Sequence, residues 1–188
     1  MFLSRMQPLH IGHIGMIKKA LSENDKVIVL LGSSNKVGTI RNPIGIELRK
    51  KIFEEVLRDE FGQANRERLT LVELPDWTEE TDRDSDLEWG RYLYYNIVRA
   101  SGQIEFSMYF SDEPEIIENW FQDEKVRARI NIKTYERKDM FEAVSSTKIR
   151  NAFLNGDRDY IRKSVPKAVF DRFEELKEII DKVYTEVE

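Results

Sequence analysis

Apolar residues are distributed along this chain in two alternating rhythms. One is a set of short continuous runs, "FLSR" (residues 2–5), "KVIVLLG" (26–32), "LTLVEL" (69–74), "IEFSMYF" (104–110) and "INIKTY" (130–135). Runs of this length and β-branched content predict strands buried on both faces. Between them, apolar positions recur at three- and four-residue steps over 14–21, 47–61, 87–100 and 115–121, the spacing of one buried helix face. Strand followed by helix, repeated, predicts an α/β domain with a mostly parallel sheet and helices on both faces. A last amphipathic helix is predicted over 165–184, where Val169, Phe170, Phe173, Leu176, Ile179, Ile180 and Val183 share a stripe. In such sheets ligands bind beyond the carboxyl ends of the strands, so the loops after "FLSR", "VIVLLG" and "SMYF" are expected to line the site.

Composition narrows this picture. A chain of 188 residues, 40% hydrophobic, supports one core, and we read residues 1–188 as a single domain with 146–188 as its C-terminal helical part. Cysteine is absent, which rules out thiolate metal sites and disulfides and fits a cytoplasmic setting. The start carries no basic and apolar leader pattern, and no apolar run is long enough to span a bilayer, so no membrane partner is expected. The formal net charge of -5 and pI of about 5.3 disfavour a nucleic-acid-tracking protein, which needs clustered cations, but leave room for local positive pockets. The acidic stretch "EETDRDSDLE" (79–88) reads as a solvated loop rather than a metal site.

Candidate chemistry begins at "SRMQPLHIGHIGMI" (4–17), which holds both histidines of the chain. Pro8 forces a turn after the first strand, and Gly12 allows close backbone approach. His10 and His13, three residues apart on a first helical turn, share a face towards whatever lies above the sheet. Helix-start amides add a site for an anion, so the pair reads as a phosphate cradle, with a surface pair or a shared metal as the alternatives. A second anion signal lies in "SSTKIRNAFLNGD" (145–157). Ser145 or Ser146 caps a helix there, and Thr147, Lys148 and Arg150 offer a hydroxyl and cations to a polyphosphate.

"HIGH" is the signature of class I aminoacyl-tRNA synthetases and also an HxGH element of nucleotidyltransferases, and the short acidic chain lacks the lysine-rich loop a synthetase needs. Taken with "SSTKIR", the chain resembles the HxGH nucleotidyltransferase superfamily, and within it the archaeal-type nicotinamide mononucleotide (NMN) adenylyltransferases. "SRMQPLHIGHIGMIKKAL" is similar to their GRxQPxHxGH opening, "LLGSSNKVGTIRNPIGIELR" to their GSAxxxxTxxNPFTxxER segment, and "VPKAVFDRFEEL" to their closing helix. The resemblance implies a Rossmann-like fold and transfer of AMP from ATP to NMN, forming NAD and pyrophosphate. It also implies magnesium carried with the ATP phosphates and a homo-oligomer.

By the same resemblance His10 and His13 hold the α- and β-phosphates, Arg5 and Arg41 meet the phosphates, and Thr147 and Arg150 grip the β- and γ-phosphates. Gln7, Gly12, Ser146 and Lys148 complete that phosphate site. Trp89 stacks on the nicotinamide, with Asp86 and Asn35 beside the acceptor, although Trp89 alone could equally be a core residue of its helix. Several residues depart from the family pattern: Ser4 for glycine, Asp86 for asparagine, and Ile44, Gly45 and Leu48 in place of Phe, Thr and Glu. They bear on acceptor and base choice, so a different phosphorylated acceptor, CTP as donor, or a non-catalytic nucleotide-binding protein are the alternatives.

Overall fold

The computed structural model describes residues 1–76, 86–111, 114–135 and 144–186. Five strands, β1 (Phe2–Ser4), β2 (Val27–Leu31), β3 (Leu69–Glu73), β4 (Phe106–Ser111) and β5 (Ile130–Tyr135), form one sheet. Its order is β3-β2-β1-β4-β5 and every pair is parallel. The helices are α1 (Ile11–Glu23), α2 (Ile46–Glu60), α3 (Gln63–Arg66), α4 (Asp86–Ser101), α5 (Pro114–Trp120) and α6 (Glu124–Arg127). The C-terminal part adds α7 (Ser146–Leu154), α8 (Arg158–Ser164), α9 (Lys167–Phe170) and α10 (Phe173–Thr185). This is the Rossmann-like α/β arrangement expected from the two rhythms. Among the described residues no helix is long and apolar enough to cross a membrane.

The period-2 alternation of a strand explains why the sheet carries two cores. Val27, Val29 and Leu31 of β2 face one cluster, which also holds Ile17 of α1, Phe53 of α2, Phe153 of α7 and Leu176 of α10. Ile28 and Leu30 face the other, with Leu93 and Ile97 of α4, Met108 and Phe110 of β4, and Ile117. β2 is buried throughout, whereas the edge strand β3 is only partly covered, a departure from the expectation that every run is buried on both faces. Gly90 is what lets α4 approach the end of α5: a Cβ there would lie 1.6 Å from the Trp120 carbonyl oxygen.

The helical spacing over 14–21 belongs to a helix that starts at Ile11, with His10 as its N-cap and His13 in its first turn. One predicted boundary is corrected. The single helix expected over 165–184 is two, α9 and α10, with a break at Asp171 and Arg172. Arg172 is held there by donating to Ala168 O at 2.7 Å and to Glu55 Oε1 of α2 at 2.6 Å, a tertiary contact that overrides the helical periodicity. Of the acidic stretch 79–88, residues 79–85 lie outside the described residues, and from Asp86 onward the chain is helical rather than loop.

The chain runs from β1 outward to β3 and then crosses to β4 and β5 on the other side. The strand order therefore reverses between β1 and β4, and the crevice above their carboxyl ends is where an open α/β sheet binds ligands.

Candidate active site

His10 occupies the N-cap of α1 in an extended conformation, φ -142° and ψ 171°. His13 Nδ1 accepts the backbone N–H of His10 at 3.2 Å, satisfying a donor at the chain's entry to the helix. An acceptor Nδ1 puts the hydrogen of the neutral His13 ring on Nε2, so the turn chooses the tautomer. The two imidazoles stack, centroids 3.6 Å apart and 24° between planes. Gly12 makes room for this: a Cβ there would meet His10 Nδ1 at 3.1 Å.

A second helix start faces the first. Ser145, one of the two predicted caps, is the N-cap of α7 and accepts from Lys148 N at 3.2 Å. Ser146 Oγ instead donates to Pro8 O at 3.4 Å and ties the two helix starts together. Arg150 is 6% exposed, donating to Gln7 O at 2.8 Å and to Thr147 Oγ1 at 3.3 Å. Among the described residues its Nε has no hydrogen-bond partner. A buried guanidinium with a donor to spare, beside two helix N-termini, is an arrangement that gains from an anion.

These groups meet in one cleft of about 310 Å³ at the β1–β4 reversal. Arg5, Gln7, His10, Gly12 and His13 line it from the β1–α1 turn, and Ser146, Thr147 and Arg150 from α7. Arg41 enters from the β2–α2 loop and Ser111 from the end of β4. Among the described residues no carboxylate lines this cleft, although the chain as a whole is acidic. A cationic pocket in an acidic surface concentrates field lines on an anionic ligand.

The loops around the cleft are held by side chains that reach main-chain atoms. The Gln7 amide, buried at 1% exposure, donates to Ile44 O and accepts from Ile44 N, both at 2.9 Å. Arg41 sits on the short turn closed by Asn42 N to Thr39 O at 2.9 Å. Arg49 donates to Arg5 O, Gly32 O and Ser33 O at 2.8, 2.9 and 3.0 Å. Burial pulls its guanidinium down to about 10, with Asp76 opposing the shift. Sequence reasoning gave Arg49 no part. The sequence signal is its place on the same helix face as Ile52, Phe53 and Val56, which marks a buried cation without naming its partners.

The remaining predicted residues lie outside that cleft. Asn35 pairs with the main chain of Asp76, accepting from its N–H at 2.8 Å and donating to its carbonyl at 3.3 Å. Asp76, which sequence reasoning also passed over, accepts from Ser33 Oγ at 3.0 Å. Asp86 opens α4, and Lys148 borders a shallower groove between α7 and α8. Trp89 is half-buried against the α4-side core, its ring 5.6 Å from Tyr92 and 6.0 Å from Trp120. Tyr92 donates to Pro75 O at 3.0 Å, and burial raises its phenol above the ordinary value.

The cleft can hold a polyphosphate, orient it and neutralise its charge. Among the described residues no group of three or more His, Cys, Asp or Glu is placed to hold a metal ion.

Known proteins resemble this chain along most of its length. The nicotinamide-nucleotide adenylyltransferase of Pyrobaculum arsenaticum is 27% identical over 180 residues, covering 94% of this chain and 88% of that protein. The one from Thermococcus onnurineus is 27% identical over 177 residues, covering 94% and 82%. Among solved structures, a bifunctional NMN adenylyltransferase/ADP ribose pyrophosphatase from Francisella tularensis, complexed with AMP and a manganese ion, superposes with a TM-score of 0.70 at 18% identity. That likeness covers 98% of this chain but 51% of the bifunctional protein, so the chain spans about half its length, and at this identity it bears on the fold. The cytidylyltransferase-like family model matches residues 1–152, from the first strand through the cleft-lining turn of α7, and the chain belongs to that family.

Proposed function

We propose that this chain transfers the adenylyl group of ATP to NMN. A 5′-phosphate oxygen of NMN attacks the α-phosphorus of ATP, the bond from that phosphorus to the α–β bridging oxygen breaks, and NAD and pyrophosphate leave. No enzyme nucleophile is required, so catalysis reduces to positioning and to neutralising charge on the transferring and leaving groups. The observation that carries the reading is the cationic cleft of His10, His13, Arg5, Arg41 and Arg150 at the strand reversal. The names of its full-length relatives supply the reaction.

Each residue then has a task. His13 donates from Nε2 to an α-phosphate oxygen, and His10 supports the neighbouring phosphate. Thr147 and Arg150 hold the β- and γ-phosphates at the start of α7, where the helix amides also point. Arg5 and Arg41 close on the triphosphate from the β1 and β2 loops. Magnesium, travelling on the phosphates, shields their charge without a dedicated protein cage. Trp89 offers a π face to the cationic nicotinamide ring at the acceptor end, with Asp86 and Asn35 on the same side. The reading includes a cytoplasmic setting and a homo-oligomer, the latter checked by light scattering of the purified chain.

Pyrophosphate release from ATP and magnesium tests the reaction, with NMN compared against nicotinate mononucleotide, FMN and phosphopantetheine, and with CTP as a second donor. Release with NMN together with NAD formation is the expected result. Release only with another acceptor or donor would keep the phosphate chemistry and reject this substrate. No release with any pair would point to a nucleotide-binding protein.

A further inference from the structure

Arg49 lies on the buried face of α2, 2% exposed, on the stripe that continues through Ile52, Phe53 and Val56. Removing a guanidinium from water is expensive, so its place among apolar neighbours needs compensation. Among the described residues no carboxylate hydrogen-bonds to it. Its partners are three main-chain carbonyls, Arg5 O and Gly32 O on one terminal nitrogen and Ser33 O on the other. All three sit just past the carboxyl ends of β1 and β2, the last rung between those strands being Gly32 N to Ser4 O at 3.0 Å. Beyond that rung Arg49 is the donor to Arg5 O and Gly32 O among the described residues, and it shares Ser33 O with Lys36 N, which donates to it at 3.1 Å.

The consequence is a mechanical link across the site. On one side Arg49 holds the backbone of Arg5, whose side chain lines the phosphate cleft. On the other it holds Ser33, which has a positive φ of 49° and whose hydroxyl donates to Asp76 at the end of β3. We propose that Arg49 is a positioning residue: it acts through the main chain of Arg5 and Ser33 to set where the phosphate-facing arginine stands relative to the Ser33–Asp76 side of the crevice. This rests on the reading that Arg5 meets phosphate. A lysine cannot replace it, because one ammonium on a flexible stem does not span three carbonyls with a fixed planar fork.

A double-mutant cycle tests the link. Binding of magnesium-ATP is measured by calorimetry for the wild type, Arg5→Ala, Arg49→Lys and the double variant, alongside far-UV circular dichroism and NMN turnover. Each single substitution is expected to weaken ATP binding by about tenfold or more, the scale of one charge-assisted hydrogen bond. The double variant is expected to bind no worse than the weaker single one, since Arg49 acts through Arg5. Losses that multiply in the double variant, or wild-type affinity in a folded Arg49→Lys, would overturn the proposal. If Arg49→Lys does not fold, Arg49→Gln is read in the same cycle, and failure of both to fold would assign Arg49 a purely structural role. A wild type that binds ATP but does not turn over NMN defeats the adenylyl-transfer reading alone and leaves the cycle legible. A wild type that binds no ATP defeats both.

Discussion

His13 has two roles that respond differently to one substitution. Its Nδ1 serves the backbone of His10 and its ring lines the cleft. His13→Ala is expected to lower kcat by about a hundredfold, the usual loss for one preorganised donor to developing charge. It should also reduce stability by about 0.5–2 kcal/mol, because the start of α1 loses its acceptor. Steady-state turnover and urea unfolding of the same preparation read the two effects separately, and unchanged turnover would remove His13 from the chemistry. That His10, His13, Thr147 and Arg150 share one cleft was legible in the sequence because their residue types and spacing mark two helix starts suited to one anion. Asp76 and the partners of Arg49 were not, because those contacts include main-chain atoms and neighbours more than a dozen residues away, which a local pattern does not encode.

Among the elements, α4 depends on a single hydrogen atom. Replacing Gly90 by alanine would raise intrinsic helix propensity by about 1 kcal/mol. It would also drive a Cβ into the Trp120 carbonyl, 1.6 Å away, which backbone cannot avoid without moving α5. Gly90→Ala is therefore expected to be net destabilising, beyond the about 1–3 kcal/mol typical of overpacking. Chemical denaturation checks the sign: a stabilised variant would mean α5 yields freely. The end of α1 gives a pH dependence. Hydrogen bonds from Lys133, Lys19 and Tyr109 pull the Glu23 carboxyl from 4.5 down to about 2. A depressed folded value means the contribution is complete above the unfolded carboxyl's range and disappears as pH falls towards about 2. Replacing Glu23 with glutamine should flatten the acid limb of the stability profile between those two values, measured as urea midpoint against pH. The strand runs were readable to within two residues at either end, since each is a continuous apolar segment. The four-residue helices α3 and α6 escaped, being too brief to establish a period.

At the scale of the molecule, the helices beyond residue 152 belong to the same core as the first strand. Ile161, Val169, Phe173 and Leu176 join Phe2, Ile17 and Phe53 in one cluster, and Arg172 reaches Glu55 at 2.6 Å. A chain cut after residue 152, where the family match ends, would expose that cluster. The full chain is expected to unfold in one cooperative transition and the shortened chain to show none, which calorimetry distinguishes; two separate transitions in the full chain would mean the C-terminal helices are an independent unit. Among the described residues the Gln7 amide bonds the main chain of Ile44, and does so in both directions. Such a clasp is indifferent to the side chain it holds, so residue 44 can carry isoleucine where the family pattern has phenylalanine without releasing the loop that bears Arg41. Ile44 itself is fully buried in the main core, so volume-conserving exchanges at position 44 probe the packing beneath that loop while the clasp on its main chain stays in place.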